Sequence, residues 1–93
     1  MRWRGTVDDV SQIKIQEGNV EVSAISGSPS SDGTYDFTSP MPYRRLNVRL
    51  NKIRGRGDVR IIQQPTRDND FTTIVEVRDT NRGPSDYEFE ISW

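Results

Sequence analysis

The sequence predicts an all-β domain: an antiparallel β-sandwich of seven or eight strands, immunoglobulin-like or jelly-roll-like in general shape, with a small β-barrel as the second choice. Three observations carry that expectation. Apolar residues recur with period two, and no 3.6-residue apolar stripe persists anywhere. Clusters of Gly, Pro, Asn and Asp punctuate the chain roughly every eight to twelve residues, the spacing of short strands. The closing stretch sets Tyr87, Phe89, Ile91 and Trp93 on one face of a strand and Glu88, Glu90 and Ser92 on the other. Aromatic rings bury the most surface per residue, so this strand is expected to floor the core, Trp93 included.

The 93 residues make one domain, residues 1–93, and only 31% of them are hydrophobic, so the core must be thin. With no Cys and no His in the chain, disulfides, thiolate chemistry and the commonest general base and metal ligand are all ruled out. No apolar run is long enough to cross a bilayer, so membrane insertion is not expected. Met1-Arg2-Trp3 does not open a signal peptide, and Met1 reads as a start residue placed ahead of the first strand.

Trp3, Gly5 and Val7 alternate with Arg2, Arg4 and Thr6, a first strand ended by Asp8-Asp9. Ile13 and Ile15 then lead into a two-residue Gly18-Asn19 turn, with Val22 and Ala24 leading out. That turn would set Glu17 against Val20, Ile15 against Val22 and Ile13 against Ala24, all apolar partners on one face. Ser26 to Pro42 is a long connection with one minor strand, Thr34 to Thr38, which crosses between sheets.

Leu46, Val48 and Leu50 alternate with polar residues, and Ile53 breaks the period, which predicts a β-bulge near Asn51-Lys52. Arg54-Gly55-Arg56-Gly57-Asp58 turns the chain into a return strand, Val59 to Gln64, to give a hairpin. Phe71, Thr73, Val75 and Val77 share a face of the next strand. Pairing it with the last strand would match Val77 with Tyr87, Val75 with Phe89 and Phe71 with Trp93. That register opposes Glu76 to Glu88, so a shifted one with Arg78 against Glu88 stands beside it.

Charge is unevenly laid out. Arg44 to Arg60 holds seven basic residues and one acidic, whereas Asp68 to Trp93 holds seven acidic and two basic. One reading makes the basic hairpin, with Arg45, Arg49, Arg54, Arg56 and Arg60, a contact surface for an anionic or protein partner. The other makes the basic and acidic strands neighbours whose outer faces pair across strands. A pI of about 5.3 and the lack of aromatics among these arginines weigh against nucleic acid. Asp68-Asn69-Asp70, Asp79-Thr80-Asn81, Asp8-Asp9 and Asp32-Gly33 offer calcium-type oxygens, but such residues also simply build turns. No cofactor is expected. Arg56-Gly57-Asp58 has a sufficient explanation as a turn. Tyr35 and Tyr43, in or beside loops, are the candidates for stacking on sugar rings.

Trp3-Arg4-Gly5-Thr6-Val7-Asp8-Asp9, Gln63-Gln64-Pro65, Asn69-Asp70-Phe71-Thr72 and the Tyr87 to Trp93 block together resemble a group of uncharacterised bacterial proteins. In that group a short β domain follows an export signal. The resemblance implies an extracytoplasmic location (periplasm, cell surface or medium) and supplies no activity. The expected function is a non-catalytic binding or assembly module of a bacterial envelope or secreted protein, with another protein or a second copy as partner. The alternative is a carbohydrate-binding module, with or without calcium.

Overall fold

The computed structural model describes residues 1–7, 9–16, 19–25, 32–36, 42–79 and 83–93, with residues 24 and 32–36 described by their backbone. Among these residues there are eight strands: β1 (Arg2–Val7), β2 (Val10–Gln16), β3 (Asn19–Ala24), β4 (Asp32–Asp36), β5 (Arg49–Arg54), β6 (Asp58–Gln63), β7 (Thr73–Arg78) and β8 (Ser85–Ser92). They form two four-stranded antiparallel sheets, ordered β4-β1-β8-β5 and β3-β2-β7-β6. The expected sandwich is what the chain forms. Its topology is nested: the first strand pairs with the last and the second with the penultimate.

Period-two burial is the reason. β1 buries Trp3, Gly5 and Val7, β2 buries Ile13 and Ile15, β7 buries Val75 and Val77, and β8 buries Tyr87, Phe89 and Ile91. Each of these four central strands has one apolar face, and two sheets closing face to face bury all four at once. Trp3 and Phe89 sit opposite one another in register, their rings stacked at 5.3 Å. Met1 joins the core at 6% exposure, and its amino group donates to the Ile91 carbonyl at 2.8 Å.

Several expectations about pairing are corrected. The β2–β3 hairpin exists, but Ile13 faces Val22 and Ile15 faces Val20, closed by Gln16 against Asn19. Asn19 is therefore a strand residue rather than part of the expected Gly18-Asn19 turn, and Gly18 lies outside the described residues. A two-residue slip keeps every side chain on its face, so the apolar pattern could not tell the two registers apart. The minor strand covers Asp32–Asp36 and borders β1.

Residues 46–64 do not form a hairpin. β5 pairs with β8 in one sheet and β6 with β7 in the other, so Arg54 to Asp58 is a corner between sheets. The expected bulge is found, between Lys52 and Arg54, and β6 carries a second between Ile61 and Gln63. Likewise β7 and β8 are not neighbours. Val75 and Val77 belong to one layer and Phe89 and Ile91 to the other, so neither proposed register occurs. The Glu76–Glu88 conflict vanishes because each side chain points away from the core on its own sheet. Phe71 and Leu46 precede their strands rather than lying in them. Trp93 lies past the end of the core and is 38% exposed.

Candidate functional site

The corner between β5 and β6 absorbs much of the expected basic surface. The Arg56 Nε donates to Asp79 Oδ2 at 2.7 Å, and Asp79 is fully buried. A terminal nitrogen of Arg56 also donates to the Gly83 carbonyl. The Gly57 N–H donates to the Tyr87 hydroxyl at 3.0 Å. Gly55, at φ 146°, lies flat on the Tyr87 ring: a Cβ there would sit 2.2 Å from Cδ1. Lys52 donates to the carbonyls of Gly55 and Gly57 at 3.3 and 2.9 Å. Burial, then the Asp79 hydrogen bond, pushes the Tyr87 hydroxyl up to about 12, against the opposing Gly57 N–H. Arg56-Gly57-Asp58 is therefore a locked corner whose arginine is committed inward.

Arg60 is also committed. With Arg78 it converges on Glu76 Oε1, at 3.2 and 3.3 Å. These ion pairs form part of the wall of an open depression of about 330 Å³ lined by Asp58, Val59, Arg60, Glu76 and Arg78. On the opposite outer face, acidic β8 runs between basic β1 and β5. Glu88 stands across from Arg4 on one side and Arg54 on the other, and Arg2 lies 3.6 Å from it. Neighbouring strands of opposite charge are what the chain builds there. Arg45, Arg49 and Arg54 are exposed but spread from the loop before β5 to its far end.

The acidic loops are occupied as turn builders. Asn69 Oδ1 accepts from the Thr66 and Thr72 N–H groups at 2.8 and 3.0 Å, and its amide donates to the Gln64 carbonyl. Gln64 in turn bonds both the N–H and the carbonyl of Val48, at 2.8 and 3.0 Å. Among the described residues no three acidic side chains gather as metal ligands. Asp8, Thr80 and Asn81 lie outside the described residues.

The same two loops make a different site. Gln64's grip on Val48 brings the 42–48 segment beside the 3-10 turn Arg67–Asn69. There Tyr43, Arg44, Arg67 and Phe71 line a pocket of about 380 Å³. The Tyr43 and Phe71 rings meet edge to face at 5.5 Å, and the Arg44 guanidinium lies over Tyr43, 5.6 Å from its centroid. The Tyr43 hydroxyl donates to Asp70 Oδ1 at 3.2 Å, and Gln16 Nε2 donates to Asp70 Oδ2 at 2.8 Å. Among the described residues Arg44 and Arg67 have no ion-pair partner.

Backbone strain is concentrated here. Asp9, Asn47 and Asp70 have positive φ, which Asp and Asn tolerate. Arg44 at 62° and Phe71 at 56° are the other two such non-glycine residues among those described, and both line this pocket. Left-handed backbone costs each about 1–2 kcal/mol, and for a bulky ring it is a genuine outlier. Phe71 is held there by its N–H bond to the Thr66 carbonyl at 2.7 Å.

Of the residues expected to bind, the structure places Tyr43 in this pocket, whereas the Tyr35 side chain lies outside the described residues. Sequence reasoning missed Arg67, Phe71, Asp70 and Gln16 as its companions. The available signal was Asn69-Asp70-Phe71-Thr72, where a large ring follows turn residues. No protein-family model matches the chain, and neither a curated protein nor a solved structure does so.

Proposed function

We propose that this domain is a non-catalytic binding module whose ligand site is the pocket of Tyr43, Arg44, Arg67 and Phe71, rather than the Arg45-to-Arg60 stretch. The observation that carries the reading is the coincidence of the two strained residues Arg44 and Phe71 in one pocket. Strain of this kind persists where surrounding structure enforces it, and it collects at ligand clamps. The site also pairs ring surface with guanidinium groups that lack ion-pair partners among the described residues, the mixture of apolar lining and few polar groups typical of ligand sites.

Assembly by strand addition is the weaker reading. Both edge strands flanking the corner carry a bulge, leaving Ile53 and Ile62 44% and 40% exposed. Lys52, opposite buried Phe89, stands on the inward side of its edge. Bulges and inward-facing lysines are devices that discourage edge pairing. A module of this kind suits the exported setting that the sequence resemblance implies.

The test is a binding panel of immobilised glycans, anionic lipids, peptides and the domain itself. It compares the natural chain with an Arg44→Glu, Arg67→Glu double variant shown to be folded by circular dichroism. Loss of the bound probe in the variant is expected. A probe retained at full strength by the variant would remove the pocket from consideration.

A further inference from the structure

We infer that the ligand of this pocket is a singly charged acidic sugar, a uronate unit of an anionic glycan; the inference rests on the pocket being the ligand site. Charge balance is the first argument. Arg44 and Arg67 line the pocket without ion-pair partners among the described residues, and the Asp70 carboxylate is tied to its Tyr43 wall. Two positive charges against one negative leave a single positive charge among these groups. A monoanion is matched by that surplus. A phosphate or sulfate dianion would meet the Asp70 carboxylate at close range without enough compensation.

Hydrogen-bonding capacity is the second argument. A carboxylate has about four acceptor positions, and each Asp70 oxygen uses one, for Tyr43 and Gln16. The remaining positions suit ligand hydroxyls, which donate. A uronate offers both parts: hydroxyl donors for Asp70 and a planar carboxylate that Arg can bind through two N–H groups. The third argument is the ring surface. Tyr43 and Phe71 line a pocket of about 380 Å³, within the roughly 300–1,000 Å³ range of small-ligand sites and wide enough for a sugar ring. Tyr43 is fixed at its hydroxyl by Asp70 and capped by Arg44, so the wall is formed before the ligand arrives, which lowers the cost of binding.

Isothermal titration of the 93-residue chain with trigalacturonate, neutral galactotriose, triglutamate and inorganic phosphate, at constant ionic strength, tests this. Trigalacturonate should bind about tenfold or more tighter than the others, the difference of one charge-assisted hydrogen-bond set. Arg67→Ala and Tyr43→Ala, each confirmed folded, should each weaken it by about tenfold. Should triglutamate, phosphate or the neutral trisaccharide bind as well or better, with Arg67→Ala still weakening them, the sugar class is wrong and the pocket stands. Should trigalacturonate bind equally to the natural chain and both variants, the pocket and the ligand class are both lost. Absence of binding by all four probes overturns the uronate class, leaving the pocket to be judged by the broader panel.

Discussion

The backbone of Gly55 rests against the ring of Tyr87 with no space for a side chain: a Cβ on Gly55 would lie 2.2 Å from Cδ1 and 2.5 Å from Cε1. The ring cannot retreat, because Tyr87 is fully buried and its hydroxyl accepts from Gly57 at 3.0 Å. Gly55 also holds φ at 146°, which an L side chain resists. Gly55→Ala should therefore destabilise the domain by about 2–4 kcal/mol, overpacking and backbone strain adding. Urea denaturation measures this, and a loss below about 1 kcal/mol would show that the corner has slack.

Tyr87 also makes stability depend on alkaline pH. Its hydroxyl is pushed up to about 12 in the folded chain, chiefly by burial, from an ordinary value of 10.0. A raised folded value means that the neutral form is favoured by folding. The contribution is fully present below pH 10 and is lost as pH rises toward 12. Tyr87→Phe should remove that component of the alkaline slope. It should also cost about 1–3 kcal/mol at neutral pH, because the Gly57 N–H and the buried Asp79 each lose a partner. Melting curves of both proteins from pH 8 to 12 decide the matter, and parallel slopes would contradict it.

How much of this was legible beforehand follows from what period two encodes. The faces of β1, β2, β7 and β8 were readable because Trp3, Ile13, Val75 and Phe89 each belong to an alternating run. Which face packs on which was not, because alternation assigns a side and not a neighbour. Val77 and Tyr87 are adjacent in the sequence order of strands, yet they end in opposite sheets. The only hint was the Glu76–Glu88 clash that side-by-side pairing would have created. At the pocket, Tyr43 was visible as an aromatic in a loop. Phe71 was misread as a strand residue because it is in phase with Thr73 and Val75, and phase says nothing about a positive φ. Arg67 and Asp70 reach the pocket only through the Asn69 and Gln64 hydrogen bonds, which join segments that the pattern treats separately.

The arginines should divide sharply by burial of their partners. Arg56→Met removes the charged partner of the fully buried Asp79 carboxylate, and breaking a buried pair costs about 3–5 kcal/mol, here reduced toward about 2–4 kcal/mol because Arg56 is itself 38% exposed and the Tyr87 hydroxyl still bonds Asp79. Arg60→Met should cost no more than about 1 kcal/mol, since Arg60 is 65% exposed and Arg78 remains on Glu76. Equal losses in the two variants, by chemical denaturation, would refute the division.

Ser11 offers the opposite sign. Its hydroxyl is fully buried, and its Oγ has no hydrogen-bond partner among the described residues. An unsatisfied buried hydroxyl costs about 1–3 kcal/mol. Ser11→Ala removes it with little change in volume and should leave stability unchanged or raise it by up to about 1 kcal/mol. A clear loss of stability in this variant would mean that the hydroxyl is satisfied after all.

Arg44 links stability to binding in one substitution. Its φ of 62° costs an arginine about 1–2 kcal/mol but costs glycine nothing. Against that gain, Arg44→Gly gives up the contact over Tyr43, worth about 0.5–1 kcal/mol at an exposed site, and adds some freedom to the unfolded chain. The two sides nearly balance, so the melting temperature should hold steady or rise slightly. Ligand binding should nevertheless fall, because one of the two free guanidinium groups has gone. A residue retained only for turn geometry would show the stability result without the binding loss. A residue that merely packs would show a marked drop in melting temperature. Only strain maintained for recognition predicts an undiminished fold together with weakened capture of the anionic probe.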